Sequence, residues 1–152
     1  MGEWSLTPDF IEAERKRFRK NYSQKLRVGF DDADQFASWC VEKLKDQEGR
    51  CAYCETSILL IRRIIDEVSL SNDKTMFHRF RGVRGGRVHG RTLEVEQRGP
   101  DAGYTPENCS LVCYFCNNDK SYVYSEADYR KFFAAGRKQH FESVARRLGI
   151  IR

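Results

Sequence analysis

The sequence predicts an α+β fold, with a small hairpin and a four-cysteine metal site flanked by N- and C-terminal helices. Three observations predict it. Apolar residues recur at helical spacing towards both ends of the chain. Two short segments in the second half read as strands joined by a turn region. Two Cys-x-x-Cys pairs, Cys51/Cys54 and Cys113/Cys116, bracket those strands.

Thr7-Pro8-Asp9 starts the first helix, with Thr as N-cap, Pro at the first helical position and an acid in the first turn. It is expected to run to about Lys25, with Phe10, Ile11, Phe18 and Tyr22 near one face, and to be broken by Gly29. A second helix starts at Asp31 or Asp32 and ends before Gly49. It carries Phe36, Trp39, Cys40, Val41 and Leu44 at amphipathic spacing. A third is expected from Ser57 to about Leu70. Residues 91–97 alternate like a strand, with Leu93 and Val95 on one face and Glu94 and Glu96 on the other. Residues 99–103 form a turn region, and Asn108 to Cys113 read as the second strand. Another helix should begin around Asn117, and Ser125-Glu-Ala-Asp128 is a capping-box-like start for the next. A basic amphipathic segment spans about Arg137 to Leu148. The resulting regions are 1–48, helical and basic; 49–135, the core; and 136–152, a C-terminal helix.

At 152 residues the chain suits one domain, or one domain with a helical appendage. Its mean hydropathy is −0.68, and no window approaches the roughly 20 apolar residues of a membrane span. The stretch Ile58 to Ile61, for example, stops at Arg62 and Arg63. The N-terminus lacks the basic start and apolar run of a signal peptide, so a cytoplasmic protein is expected. In that compartment six cysteines point to metal ligands or buried thiols rather than disulfides.

The two pairs share one spacing, and a two-residue spacer lets a tight turn present both sulfurs to a tetrahedral Zn²⁺. Cys51, Cys54, Cys113 and Cys116 are therefore expected to form a closed structural zinc site. The competing assignment, a thioredoxin-like redox pair, needs a strand-then-helix unit, which neither pair is expected to occupy. Cys40 on an apolar helix face and Cys109 in a strand are expected to be buried small hydrophobes. A closed four-thiolate site leaves no open position for catalysis, so any chemistry lies elsewhere.

Residues 93–121, with the knuckle Cys51-x-Tyr-Cys54, resemble the HNH endonuclease family, closest to its zinc-stapled branch of restriction, phage and bacterial proteins. The pieces that carry the resemblance are Gly103-Tyr-Thr-Pro-Glu-Asn108, Leu111-Val-Cys113 and Cys116-Asn-Asn-x-Lys-Ser121. Together they cover roughly residues 50–125. The resemblance implies a ββα-metal core, in which a hairpin and a helix hold one divalent cation, Mg²⁺ or Mn²⁺, against a scissile DNA phosphate. Glu96 then matches the metal-binding carboxylate at the end of the first strand, and Gln97 the general-base position that is usually His. Asn108 matches the residue that orients the catalytic loop, and Asn117 a second metal ligand.

Two positions depart from the family pattern. Glu in place of Asp at 96 is one methylene longer but keeps the hard oxygen donor that such cations prefer. Gln97 cannot accept a proton near neutral pH, so the base must come from elsewhere. His89 and His78 are candidates, both also readable as phosphate-contacting or solvated loop residues; Tyr104 and a metal-bound hydroxide are weaker ones. Outside the motif, Glu94 and Glu96 would simply form an exposed strand face, and the resemblance removes only Glu96 from it.

Positive charge is concentrated in two places, although the net charge is only +5. Arg15, Lys16, Arg17, Arg19, Lys20, Lys25 and Arg27 lie along or just after the first helix. Arg79, Arg81, Arg84, Arg87 and Arg91 sit among glycines with no acidic residue and lead into the first strand. Forked guanidinium groups on a Gly-rich backbone suit DNA phosphate contacts. Arg15 and Arg19 are the corresponding candidates on the helix, where a solvated face is an equal reading. Together with these charges, the resemblance implies a metal-dependent HNH nuclease acting on DNA in a bacterial or phage-infected cell, with restriction, homing and phage roles all compatible. A cutter of palindromes would be a homodimer. The rival expectation is a non-catalytic zinc-stapled DNA-binding module, favoured by Gln97, and a weaker third is a zinc domain that binds protein.

Overall fold

The computed structural model describes residues 4–24, 27–71, 89–123 and 125–152. His78, Arg79, Arg81, Arg84 and Arg87 lie outside the described residues.

Helix α1 spans Pro8–Lys20, and the Thr7 hydroxyl accepts from the Phe10 amide at 3.2 Å, as the sequence predicts. It stops short of Lys25. Asn21 closes it by donating its N–H to the carbonyls of Arg17 and Arg19. The chain then turns so that Tyr22 can pack on Phe36 and donate its hydroxyl to the Phe30 carbonyl. Gly29 therefore does not end the helix. Its amide bonds to the Tyr104 carbonyl at 3.1 Å, and a Cβ at position 29 would lie 2.6 Å from that oxygen. Glycine here lets two loops touch.

Helix α2, Ala33–Asp46, is capped by Asp32, whose carboxylate accepts from the Gln35 amide. It buries Phe36, Ala37, Cys40, Val41 and Leu44 against α1 and the hairpin. Phe18 of α1 meets Phe36 edge-on, an arrangement favoured by the ring quadrupoles. Helix α3, Ile58–Leu70, starts at the cap Ser57 and buries Ile58, Leu60, Ile61, Ile64, Ile65 and Val68. So broad an apolar face belongs to a helix covered on most sides.

Strands β1, Leu93–Gln97, and β2, Cys109–Cys113, pair antiparallel, with Leu93 opposite Cys113 and Gln97 opposite Cys109. Helix α4, Tyr114–Lys120, follows β2 without a linker, earlier than the expected start at Asn117. Its cap is Cys113, whose sulfur accepts from the Cys116 amide at 3.3 Å. Cysteine is not among the residues that mark helix starts in sequence, so the cap was hidden there.

Ser125 caps α5, Glu126–Tyr129, by accepting from the Asp128 amide. The helix does not stop there. It passes through one π-helical turn, Arg130–Ala134, into α6, Ala135–Arg147, so the two expected C-terminal segments form one run.

The chain is α+β, with one two-stranded antiparallel sheet among the described residues. A single cluster of buried residues draws on all three sequence regions, from Phe18 through Ile61 and Leu111 to Phe141 and Val144. No helix among the described residues is long and apolar enough to cross a membrane.

Candidate functional site

Cys51 and Cys54 lie in the turn before α3, while Cys113 ends β2 and Cys116 sits in the first turn of α4. All four are buried, and their sulfurs lie within 4.8 Å of one another. Cys54 and Cys113 are 3.9 Å apart. Four thiolates about 2.3 Å from a tetrahedral Zn²⁺ would be roughly 3.8 Å from each other, so the set fits a structural ion such as zinc. Burial pushes the Cys113 thiol well above its usual range, so a thiolate there needs a cation beside it. The second pair does occupy a strand-then-helix junction, contrary to expectation. Redox pairing is still disfavoured, because the other pair's sulfurs close on the same point. The Ala52 amide also donates to the Leu111 carbonyl at 2.9 Å and joins the two knuckles. Cys40 and Cys109 are buried away from this cluster, and burial pushes the Cys109 thiol up to about 11.

Side chains alternate along a strand, so Glu94 and Glu96 share one face of β1. That face is not exposed. Helix α4 packs across it, and Asn117 and Lys120, three residues apart, point the same way. Asn117 donates from Nδ2 to Glu94 Oε2 at 2.7 Å. Lys120 Nζ lies 2.9 Å from Glu96 Oε1, and the Tyr53 hydroxyl donates to Glu96 Oε2. Glu96 is 8% exposed and Lys120 7%. Burial pushes the Glu96 carboxyl above its ordinary range, against the opposing pull of Lys120 and Tyr53. Burial likewise pushes the Tyr53 phenol up. Asn117 thus meets Glu94, while Glu96 is held by a buried cation and a phenol. The donors suit a hard cation in type, but both Glu96 oxygens already have protein partners.

The Gly-rich turn beside this face is fixed by Asn108. Its Nδ2 donates to the carbonyls of Gly99 and Gly103, both at 2.8 Å, and its Oδ1 accepts from the Gly99 amide at 3.0 Å. The amide thus uses both ends to hold one loop in shape. A cavity of about 470 Å³ opens there, lined by Glu96, Gln97, Tyr104, Asn117 and Lys120 among others. A second, of about 410 Å³, is lined by Glu94, Tyr104 and Asn117 together with Arg17 and Arg27 from the N-terminal region. Tyr104 and Asn117 line both, which makes one groove over the carboxylate face.

His89 is not brought to this groove. Its ring stacks on Tyr114, with centroids 4.9 Å apart, and it lines neither cavity. Arg91 pairs with Asp66 on α3, Arg19 with Asp34 at 2.7 Å and Arg15 with Glu12 at 3.5 Å. These are exposed pairs of small energy. Arg17, expected on the basic outer face, turns inward to Glu14 and to the Leu93 carbonyl. Glu14 is 4% exposed and also meets Arg62.

Comparison of the chain with known family models, curated proteins and solved structures finds no match. The residues that sequence reasoning missed are Glu94, Lys120, Tyr53 and Arg27. The only signal for the first two was spacing: two glutamates two apart on a strand, and Asn and Lys three apart on the helix that follows.

Proposed function

We propose that this chain is a metal-dependent endonuclease of the HNH type, which hydrolyses DNA phosphodiester bonds. The observation that supports this reading best is the β1–β2–α4 unit. It gathers Glu94, Glu96 and Asn117 on one covered face, open to a groove and braced at its base by four cysteines. Glu96 and Asn117 would hold Mg²⁺ or Mn²⁺, with Glu94 as a further oxygen donor beside Asn117. When bound, such an ion polarises a phosphoryl oxygen and stabilises the leaving oxygen. Asn108 keeps the adjoining loop in one conformation, and Gln97, which cannot accept a proton, leaves the base to another group. Glu96 would serve as a ligand with Lys120 or Tyr53 withdrawn from it, and a withdrawn Lys120 would be free to meet the phosphate.

The reading is tested by cleavage of plasmid DNA with Mg²⁺ or Mn²⁺ by the zinc-loaded protein and by Glu96→Ala and Asn117→Ala. Cleavage by the parent chain and loss in both variants supports it. Activity that survives both substitutions removes the assigned metal site. The second reading is a non-catalytic zinc-stapled DNA-binding module. The Lys120–Glu96 ion pair favours it, since that pair neutralises the carboxylate the metal would need. DNA binding without cleavage, across several cations and DNA substrates, selects that reading.

A further inference from the structure

Arg27 stands apart from the other arginines near the groove. Arg17 has Glu14, Arg62 has Glu14, and Arg91 has Asp66. Arg27 has no carboxylate partner among the described residues. Its guanidinium lies 3.9 Å from the Tyr104 ring centroid and 5.5 Å from that of Phe36. Its Nη1 is buried without a hydrogen-bond partner among the described residues. Such stacking fixes the plane of the fork but satisfies none of its N–H groups. The side chain as a whole is only half-buried, so the rest of the fork stays within reach of solvent while no carboxylate of the described residues answers its charge. Arg27 also lines the cavity that contains Glu94 and Asn117.

We infer that Arg27 is the anion anchor of this groove, a binding position for a phosphate group next to the carboxylate face. The guanidinium is planar, permanently charged and held by two aromatic rings, which suits a tetrahedral oxyanion. That the phosphate is a DNA phosphodiester rests on the endonuclease reading; the anion site itself does not. Arg27 is then a positioning residue, which places a phosphate near the residues that would hold the cation.

Two measurements separate these claims. The first is thermal unfolding of the zinc-loaded full chain in chloride and in inorganic phosphate at equal ionic strength. Phosphate stabilises most proteins modestly by exclusion from their surface, so the readout is the difference between the parent and Arg27→Met, a variant of similar shape without charge. The parent should show a saturable rise in Tm that Arg27→Met lacks and that the exposed control Arg146→Met keeps. In chloride, Arg27→Met should melt close to the parent, because no ion pair is lost with the charge, whereas an arginine whose role is structural would lower Tm well below it. Arg27→Lys, which keeps the charge and loses the fork, should retain part of the rise. An equal phosphate response in the parent and Arg27→Met overturns the inference, as does no saturable response in the parent.

The second is DNA binding against salt concentration. Loss of one phosphate contact should reduce the slope of log K against log salt by about 0.9 in Arg27→Met, and an unchanged slope in a parent that binds DNA overturns the contact. Should Arg27→Met lose the phosphate response while the parent cleaves no DNA with any cation, the anion site stands and the endonuclease reading falls. Should the parent cleave DNA while Arg27→Met keeps the full phosphate response, the endonuclease reading stands and the anion site falls.

Discussion

Asn117 donates its side-chain amide to Glu94 at 2.7 Å, although the motif pairs it with Glu96. Glu96, one pleat further along the same face, faces Lys120 instead. The hydrogen bond fixes which way the Asn117 amide points: its Nδ2 faces Glu94, and its oxygen is left for another partner. On the proposed reading, Glu94 aligns a metal ligand as well as offering its own oxygens. Loss of groups that orient a metal ligand costs about 10–100-fold in metal affinity. Glu94→Ala should therefore raise the Mn²⁺ concentration for half-maximal binding by about that factor. Calorimetric titration or the electron paramagnetic resonance of free Mn²⁺ reads this directly. An unchanged affinity would make the Glu94–Asn117 contact structural only.

The four cysteines bring the knuckle before α3 against the junction of β2 with α4, where a shared ion would lock the two, and Cys113 additionally caps α4. Removing the metal should thus unravel the hairpin–helix unit rather than leave an empty pocket. Atomic emission should find one Zn²⁺ per chain. A strong chelator, or Cys116→Ser, should abolish cooperative unfolding, because a structural zinc in small domains contributes roughly 10–16 kcal/mol of apparent binding energy to the folded state. Unchanged circular dichroism and melting in the metal-free protein would show that the cluster is dispensable.

Much of this was legible in the sequence, for identifiable reasons. The helix starts expected at Thr7 and Ser125 follow from hydroxyl caps that accept the bonds expected of them, and the starts expected near Asp32 and Ser57 prove to be capped by those two side chains. The two Cys-x-x-Cys pairs converge as their spacing indicates. What the sequence hid depends on long-range contact. Glu94 and Glu96 alternate with apolar residues as an exposed strand face would, and only the packing of α4 across them shows that they are covered. Gly29 looked like a helix stop, because a close approach to residue 104 leaves no trace in local sequence. Arg27 looked like one more charge of a basic cluster; it is stacked on a tyrosine 77 positions away, at 104.

The buried Glu96–Lys120–Tyr53 group has a testable pH signature. Lys120 and Tyr53 touch the carboxylate and Glu126 acts on it from further off, but burial is the largest influence and raises the Glu96 pKa from an ordinary value of 4.5. A carboxyl whose folded pKa is raised contributes stability below its unfolded pKa and loses it as pH rises through the folded value. Relative to Glu96→Gln, the parent should therefore be most favoured below pH 4.5 and lose ground as the pH is raised from there towards neutrality. Melting temperatures of the two zinc-loaded proteins over that range check it. Acid effects on the thiolates act on both and cancel in the difference. A gap that widens in the parent's favour with rising pH would mean that Lys120 outweighs burial and that Glu96 is held as a carboxylate.

Two glycines offer a paired test of the loop contact that shapes the groove. At Gly29 an added Cβ would lie 2.6 Å from the Tyr104 carbonyl oxygen and 2.7 Å from the Thr105 Cα. Both are backbone atoms, which cannot swing aside as a side chain can. Gly136, inside α6, would meet nothing within 4 Å. Gly29→Ala should therefore cost about 1–3 kcal/mol, the usual penalty of overpacking. Gly136→Ala should stabilise by about 0.5–1 kcal/mol through helix propensity. Urea unfolding of the two variants measures both. Because the Gly29 contact joins the loop that bears Arg27 to the loop that bears Tyr104, Gly29→Ala should also weaken the phosphate response, which Gly136→Ala should leave intact. A Gly29→Ala protein as stable as the parent would show that the two loops separate without cost, and the groove between them would then have no fixed width.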